Sequence, residues 1–101
     1  MKTKDQLIKL GLPEQKADEV MLLESKMLEQ AVKFQYRKKD GTVRDAEGTL
    51  DRSKMVMENG ELWEPKGEPK PEVAENLRYW DLGKKMWREM KVLNFVAVEG
   101  A

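Results

Sequence analysis

The sequence predicts an α+β fold in which an N-terminal helical arm precedes a small five-stranded antiparallel β-barrel. Apolar residues recur at helical spacing within residues 3–30, whereas from about residue 31 they alternate with polar residues as in half-buried strands. Short strands of this number with tight turns usually close into a barrel, because closure removes exposed strand edges. We therefore divide the chain into the arm, residues 1–30, and the barrel, residues 31–101, with a proline-rich loop at 64–73.

The composition allows one small domain and excludes several kinds of active site. The chain has 101 residues, and its 19 basic and 19 acidic residues give zero net charge. Zero net charge argues against a protein that binds nucleic acid mainly through an overall positive excess. The sequence contains no Cys and no His, which excludes disulfides, thiol nucleophiles, Cys/His zinc sites and His-dependent triads. Carboxylate metal sites and hydrolysis by paired carboxylates remain compatible with this composition, but Asp45, Glu47 and Asp51 lack the spacing of a calcium loop. We expect no catalytic residues, no enzymatic activity, no cofactor and no metal site.

The distribution of apolar residues gives no sign of membrane insertion. No apolar run approaches the roughly 18 residues of a membrane-spanning helix, and the N-terminus lacks the apolar segment of a signal peptide. We therefore expect a cytoplasmic protein that does not contact a membrane.

Residues 3–30 are predicted to form two helices. Thr3 or Asp5 caps the first helix, Gly11 ends it, and Pro13 lies in the first turn of the second helix. The second helix carries an apolar stripe that packs on the rest of the domain or, alternatively, forms a dimerisation or partner-binding face. The stripe consists of Ala17, Val20, Met21, Met27, Leu28 and Ala31, with Leu23 beside it.

The second part of the chain reads as short strands separated by turns. Residues 32–36 alternate between apolar and polar side chains, and residues 39–41 provide a turn that contains glycine. Residues 42–50 then form the returning strand, in which Gly48 is a suitable site for a bend or bulge. The remaining predicted elements are a turn or short helical start at 51–54, a turn at 59–60, strands at 77–82, 86–92 and 95–98, and one helical turn at 93–94.

Five motifs of the predicted barrel occur in an order that resembles a known family. They are Phe34–Thr42, Gly48–Leu50, Tyr79–Leu82, Trp87–Lys91 and Asn94-Phe95. Over about residues 31–98 this order resembles the phage and Bacteroidales WYL-like domain, which is described as an Sm-like, SH3-like small β-barrel. The resemblance implies an Sm-like/SH3-like fold and an origin in a phage or mobile element, with the bacterial host cytoplasm as the location.

The resemblance also implies a class of ligand. The family is related to the WYL domains of bacterial regulators, which are thought to sense nucleotides or nucleic-acid ends through a basic and aromatic pocket. Trp87-Arg88 matches the Trp-Arg step of that pattern, and Asn94 retains a polar residue of the following turn. The chain departs from the pattern at Met90, where an aromatic residue is common, and at Lys91, where Arg is common.

Strand parity distributes the side chains of the last predicted hairpin over two faces. Arg88 lies on the core side near a barrel end, whereas Trp87 and Lys91 lie on the opposite side. Aromatic rings stack nucleobases and guanidinium groups hold phosphate. In the alternative interpretation the Trp rings only cover the barrel, and the cations form cross-strand pairs with Asp81 and Glu89. The candidate ligand-binding residues are Arg78, Trp80, Trp87, Arg88 and Lys91.

The tip of the first predicted hairpin is a second candidate surface. Arg37, Lys38 and Lys39 form a basic run that would contact a nucleic-acid backbone, or that is simply a solvated turn.

Together these features predict a non-enzymatic small-barrel binding module that recognises a nucleotide or nucleic acid. The alternative is a protein-interaction module that binds a host protein, for example as a phage anti-defence factor. In both cases the helical arm is expected to pack on the barrel or on a second copy, which would give a homodimer through the N-terminal helices.

Overall fold

The computed structural model describes residues 2–68 and 71–99, and in these ranges two helices precede a five-stranded antiparallel sheet. This arrangement confirms the predicted α+β class and the number of strands. Two 3₁₀ turns, Arg52–Lys54 and Val92–Asn94, stand where short helical turns were expected. The regular elements are α1 (Lys4–Lys9), α2 (Glu14–Met27), β1 (Val32–Arg37), β2 (Val43–Thr49), β3 (Asn76–Asp81), β4 (Met86–Lys91) and β5 (Phe95–Val98).

The helix boundaries follow from local capping chemistry. Thr3 caps α1 through a reciprocal pair of hydrogen bonds with Gln6, in which the backbone N–H of each residue donates to the side-chain oxygen of the other. Gly11 ends this helical segment with a φ of +115°, a conformation that side-chain-bearing residues rarely adopt. Pro13 occupies the N-cap of α2, one position before the first turn in which it was expected. Neither helix of the described chain is long and apolar enough to cross a membrane.

The apolar stripe of α2 packs against the sheet. Leu23 lies at its buried centre and not beside it, and Leu28 lies beyond the helix end with half of its surface exposed. The helix and the strands therefore share one hydrophobic core. A homodimer through the helices stays a prediction and would need residues outside the stripe. The fully buried residues of the stripe are Ala17, Val20, Leu23 and Met27.

The sheet has the strand order β4-β3-β2-β1-β5, so β4 and β5 are its edges within the described residues. The expected closure into a ring of paired strands was therefore wrong. The 3₁₀ turn Val92–Asn94 carries the chain away from the β4 edge, and β5 then pairs with β1 on the far side. Because α2 packs against β1 and β5, the core is covered on this side by a helix and not by strand pairing.

Gly48 allows two strands and an aromatic ring to approach closely. It pairs in register with Val32 of β1 and Asp81 of β3, whereas the register shift between β1 and β5 lies elsewhere, at Gln35/Tyr36. A Cβ atom on Gly48 would lie 2.6 Å from Cδ2 of Tyr79, which is too close for any real contact. Glycine is thus required here for packing, whereas the sequence suggested a bend or bulge.

Candidate ligand-binding face of strands β3 and β4

The pairing of β3 with β4 distributes the side chains over two faces, as strand parity predicted. On one face, Leu77, Tyr79 and Met90 belong to the hydrophobic core. Pairs of the other parity form a surface that we call the outer face. It consists of the pairs Asn76–Lys91, Arg78–Glu89 and Trp80–Trp87.

All three Trp residues of the chain meet on this outer face. Trp63 lies 5.2 Å from Trp87 and 6.2 Å from Trp80 between ring centroids, and Trp80 and Trp87 are 5.9 Å apart at 90°. Trp63 is carried by a small irregular hairpin in which its N–H donates to the carbonyl of Met55 over 2.8 Å. Gly60 turns this hairpin with a φ of +84°. Sequence reasoning missed Trp63, although the presence of a third Trp was the available signal.

The Trp residues differ in their access to solvent. Trp80 is only 2% exposed because Trp63 and Trp87 both pack against it. Trp80 therefore supports the site from beneath and does not offer a ring to a ligand, which corrects its predicted role. The indole N–H groups of Trp80 and Trp87 are buried without a hydrogen-bond partner among the described residues.

A cleft of about 510 Å³ opens beside these rings, and we call it the Trp cleft. Trp63 and Trp87 line it with aromatic rings, and residues 65–68 of the proline-rich loop line it as well. Three cationic and two acidic side chains border the cleft. They are Lys66, Arg78 and Arg88, with Glu68 and Glu89.

Arg78 and Glu89 form the cross-strand pair that the alternative interpretation predicted. The Nε of Arg78 donates to Oε1 of Glu89 over 3.2 Å, and its Nη2 donates to the carbonyl of Pro71 over 3.4 Å. Asn76 donates to the other carboxylate oxygen, Oε2, over 3.1 Å. The carboxylate of Glu89 is therefore held in one orientation by donors on β3.

A second depression, the basic groove, lies at the other end of the outer face and has a volume of about 510 Å³. The tip of the β1–β2 hairpin reaches β4 here, so the basic run predicted at residues 37–39 lies beside Lys91. The tip is ordered by Gly41, whose φ is +87°, and by Asp40, which accepts two hydrogen bonds from Thr42. These hydrogen bonds hold the pKa of Asp40 below its usual value. The groove is lined by Tyr36, Arg37, Lys38, Lys39, Asn76, Glu89, Met90, Lys91 and Asn94.

Arg88 lies on the core side of β4, as predicted, and its Nε is 4.0 Å from Oδ2 of the buried Asp81. The same oxygen accepts from Nη2 of Arg44 over 2.5 Å. Arg44 also donates to the hydroxyl of Tyr36, to which the hydroxyl of Tyr79 donates over 3.2 Å. Burial and this hydrogen bond raise the pKa of Tyr79. Sequence reasoning did not identify Arg44, which lies closer to the carboxylate of Asp81 than Arg88 does.

The arrangement is suited to binding. The Trp cleft offers ring faces for stacking, and the basic groove offers flexible cations for an anion. Within residues 2–68 and 71–99, no three acidic side chains converge as a metal site would require. The structure thus brings the candidate residues of the two hairpins to one continuous face, with Trp80 buried beneath it and Arg88 at its edge.

Comparison with known proteins identifies the family. The family model described as WYL_2, Sm-like SH3 beta-barrel fold, matches residues 20–96. The match begins within α2, so it includes part of the segment that the sequence resemblance had left outside. No curated protein and no solved structure matches the chain significantly. Because the match covers most of the 101 residues, the chain belongs to the WYL_2 family of Sm-like SH3 β-barrel domains.

Proposed function

We propose that this protein is a non-enzymatic binding module for a nucleotide or nucleic acid, with the base in the Trp cleft and phosphate in the basic groove. One observation carries the proposal: Glu89 borders both depressions, so the aromatic and the cationic sites are neighbours on one face. Aromatic platforms beside a basic groove are the common means of binding single-stranded nucleic acid without a strict sequence requirement.

The local charge supports this proposal although the net charge of the chain is zero. Three cations border the Trp cleft and four border the basic groove, against only two acids, Glu68 and Glu89. One of these acids, Glu89, is already paired with Arg78. The two depressions together therefore form a local positive region, which would attract a phosphate-bearing ligand.

Stacking would supply the second part of the affinity. Each base that stacks on an aromatic side chain contributes about 1–3 kcal/mol. Trp87 is half-buried and held by edge-to-face contacts with two other rings, so little side-chain freedom is lost when a ligand binds.

Thermal unfolding with added ligand tests this proposal. Nucleoside 5′-monophosphates and a short oligothymidylate are added to the protein, and binding is expected to raise its melting temperature. Trp87→Ala and Arg88→Ala should reduce this stabilisation, whereas Arg52→Ala, which removes an exposed cation outside both depressions, should not. The absence of a melting shift with every probe would refute the proposed function.

A specific observation favours the second candidate function, an interaction module for a host protein. Val56 and Leu62 form an isolated bridge next to Trp63, and 41% and 51% of their surfaces are exposed. An exposed apolar patch beside an aromatic cleft is typical of a protein contact. A pull-down from host lysate that Leu62→Lys abolishes, while the oligothymidylate still binds, would support this alternative. A phage or mobile-element origin would agree with either function.

A further inference from the structure

Glu89 is an acidic side chain that borders both the Trp cleft and the basic groove. An acid at this position opposes phosphate binding, so its presence on a cationic face calls for a physical explanation. Its side chain is 41% exposed, and its carboxylate is therefore accessible to a ligand on the outer face.

The carboxylate of Glu89 has a fixed orientation, but its oxygens can accept further hydrogen bonds. Oε1 accepts from Arg78 and Oε2 accepts from Asn76, so each oxygen has one identified donor. An ionised carboxylate has about four lone-pair sites, and each oxygen thus retains capacity for a further hydrogen bond. Two parallel acceptors with a fixed orientation match a ligand that presents two adjacent N–H donors.

We propose that Glu89 determines base specificity and selects guanine. This inference rests on the proposed function, because it assigns a base to the same site. Guanine presents N1–H and an N2 amino group side by side. Adenine, cytosine and thymine each place an acceptor next to their donor, and this acceptor would face a carboxylate oxygen unfavourably.

The spacing along β4 places the two recognition elements within reach of one base. Trp87 and Glu89 are two residues apart on the same face, which corresponds to about 7 Å along a strand. A base stacked on Trp87 would therefore direct one edge towards Glu89. Repulsion by the carboxylate would keep phosphate away from this edge and direct it to the cations on either side.

Binding calorimetry with matched probes tests the assignment. The probes are short oligothymidylates whose central base is guanine, hypoxanthine or adenine, together with the three corresponding 5′-monophosphates. Hypoxanthine keeps N1–H and lacks only the N2 amino group. The wild-type protein should bind the guanine probes roughly 5- to 150-fold more tightly than the adenine probes, with hypoxanthine between them.

Two Glu→Gln variants, each of which removes one negative charge, separate base specificity from electrostatic attraction. Glu89→Gln should remove most of the preference for guanine, because an amide provides only one acceptor oxygen. Glu68→Gln removes the same charge from the other acid of the Trp cleft and should keep the preference while strengthening the binding of every probe.

The failure of this inference is distinguishable from the failure of the proposed function. Equal binding of all three bases by the wild-type protein, or a guanine preference that survives in Glu89→Gln, would overturn the role of Glu89 and leave nucleotide binding intact. If no probe binds, both the proposed function and this inference are wrong.

Discussion

Arg44 donates a 2.5 Å hydrogen bond to the carboxylate of Asp81, although 37 positions separate the two residues in the sequence. The carboxylate is 2% exposed, and its other oxygen accepts the backbone N–H groups of Gly83 and Lys84 at 2.9 Å. One side chain therefore connects β2 to the β3–β4 turn. This connection fixes the start of β4, the strand that carries Trp87 and Glu89.

Replacement of Asp81 by Asn should destabilise the domain by roughly 2–4 kcal/mol, because it leaves the partly buried Arg44 without its counter-charge. The amide oxygen can still accept from the turn, so the variant tests the ion pair more than the turn. Urea unfolding of Asp81→Asn, of Arg44→Met and of the double variant measures the coupling. If the losses in unfolding free energy of the two single variants add up to the loss of the double variant, the two side chains do not act as a pair.

Replacement of Gly48 by Ala should lower the free energy of unfolding by about 1–3 kcal/mol, because the added methyl group would overlap the ring of Tyr79. Gly83→Ala is a matched control, since the nearest atom to its Cβ is 3.4 Å away and its backbone does not require glycine. Denaturant unfolding of both variants provides the comparison. An equal effect of the two substitutions would contradict the packing role assigned to Gly48.

The acid dependence of stability should contain a contribution from Glu24. This carboxyl is 2% exposed, its Oε1 has no partner among the described residues, and its Oε2 is 3.9 Å from Nζ of Lys2. Lys2 in turn contacts the carboxylate of Glu72. Burial raises the pKa of Glu24 above its ordinary value of 4.5, and the charge of Lys2 only partly offsets this effect.

The sign of this contribution follows from proton linkage. Above pH 4.5 the unfolded chain has released the proton while the folded protein still holds it, so stability falls as pH rises towards the raised pKa. Glu24→Gln should remove this fall in stability with rising pH, whereas Glu29→Gln, at an exposed position, should leave it unchanged. Urea unfolding at a series of pH values measures the effect. A wild-type stability that rises relative to Glu24→Gln over this range would contradict the assignment.

The basic groove should determine the salt dependence of nucleic-acid binding. Lys38→Ala and Lys91→Ala should each weaken oligothymidylate binding and reduce the slope of log K against log salt by roughly one unit. Lys9→Ala removes an exposed cation of α1 and should leave the slope unchanged. Binding titrations at several salt concentrations provide the slopes. Identical slopes for all the variants would remove the groove from the binding site.

The alternation of side chains in β3 and β4 could be predicted from sequence because strand parity is a local property. Tyr79 and Met90 are in the core, and Arg78 and Trp87 are on the outer face, as the spacing indicated. The position of Trp63 could not be predicted in this way. It lies in an irregular segment whose course depends on packing against Trp80 and Trp87 and not on any periodic pattern.

The composition of the candidate site was likewise only partly predictable. Residues 37–39 and Lys91 were identified separately, and the fold brings them to one groove although β2 and β3 lie between β1 and β4 in the sheet. Asp81 of β3 pairs with Arg44 of β2 and lies near Arg88 of β4, and the contact with Arg44 joins neighbouring strands that are far apart in the sequence. Short motifs indicate which side chains are available, whereas tertiary contacts determine which of them remain accessible to a ligand.

The most direct test of the central claim is an NMR titration of the isotope-labelled protein with the short oligothymidylate. The three indole N–H signals come from Trp63, Trp80 and Trp87, whose rings contact one another beside the Trp cleft, so they report on the site directly. The account predicts shifts of the Trp63 and Trp87 indole signals together with backbone signals of β4 and residues 37–39. Shifts confined to α1 and α2, or unchanged spectra at saturating oligonucleotide, would contradict it.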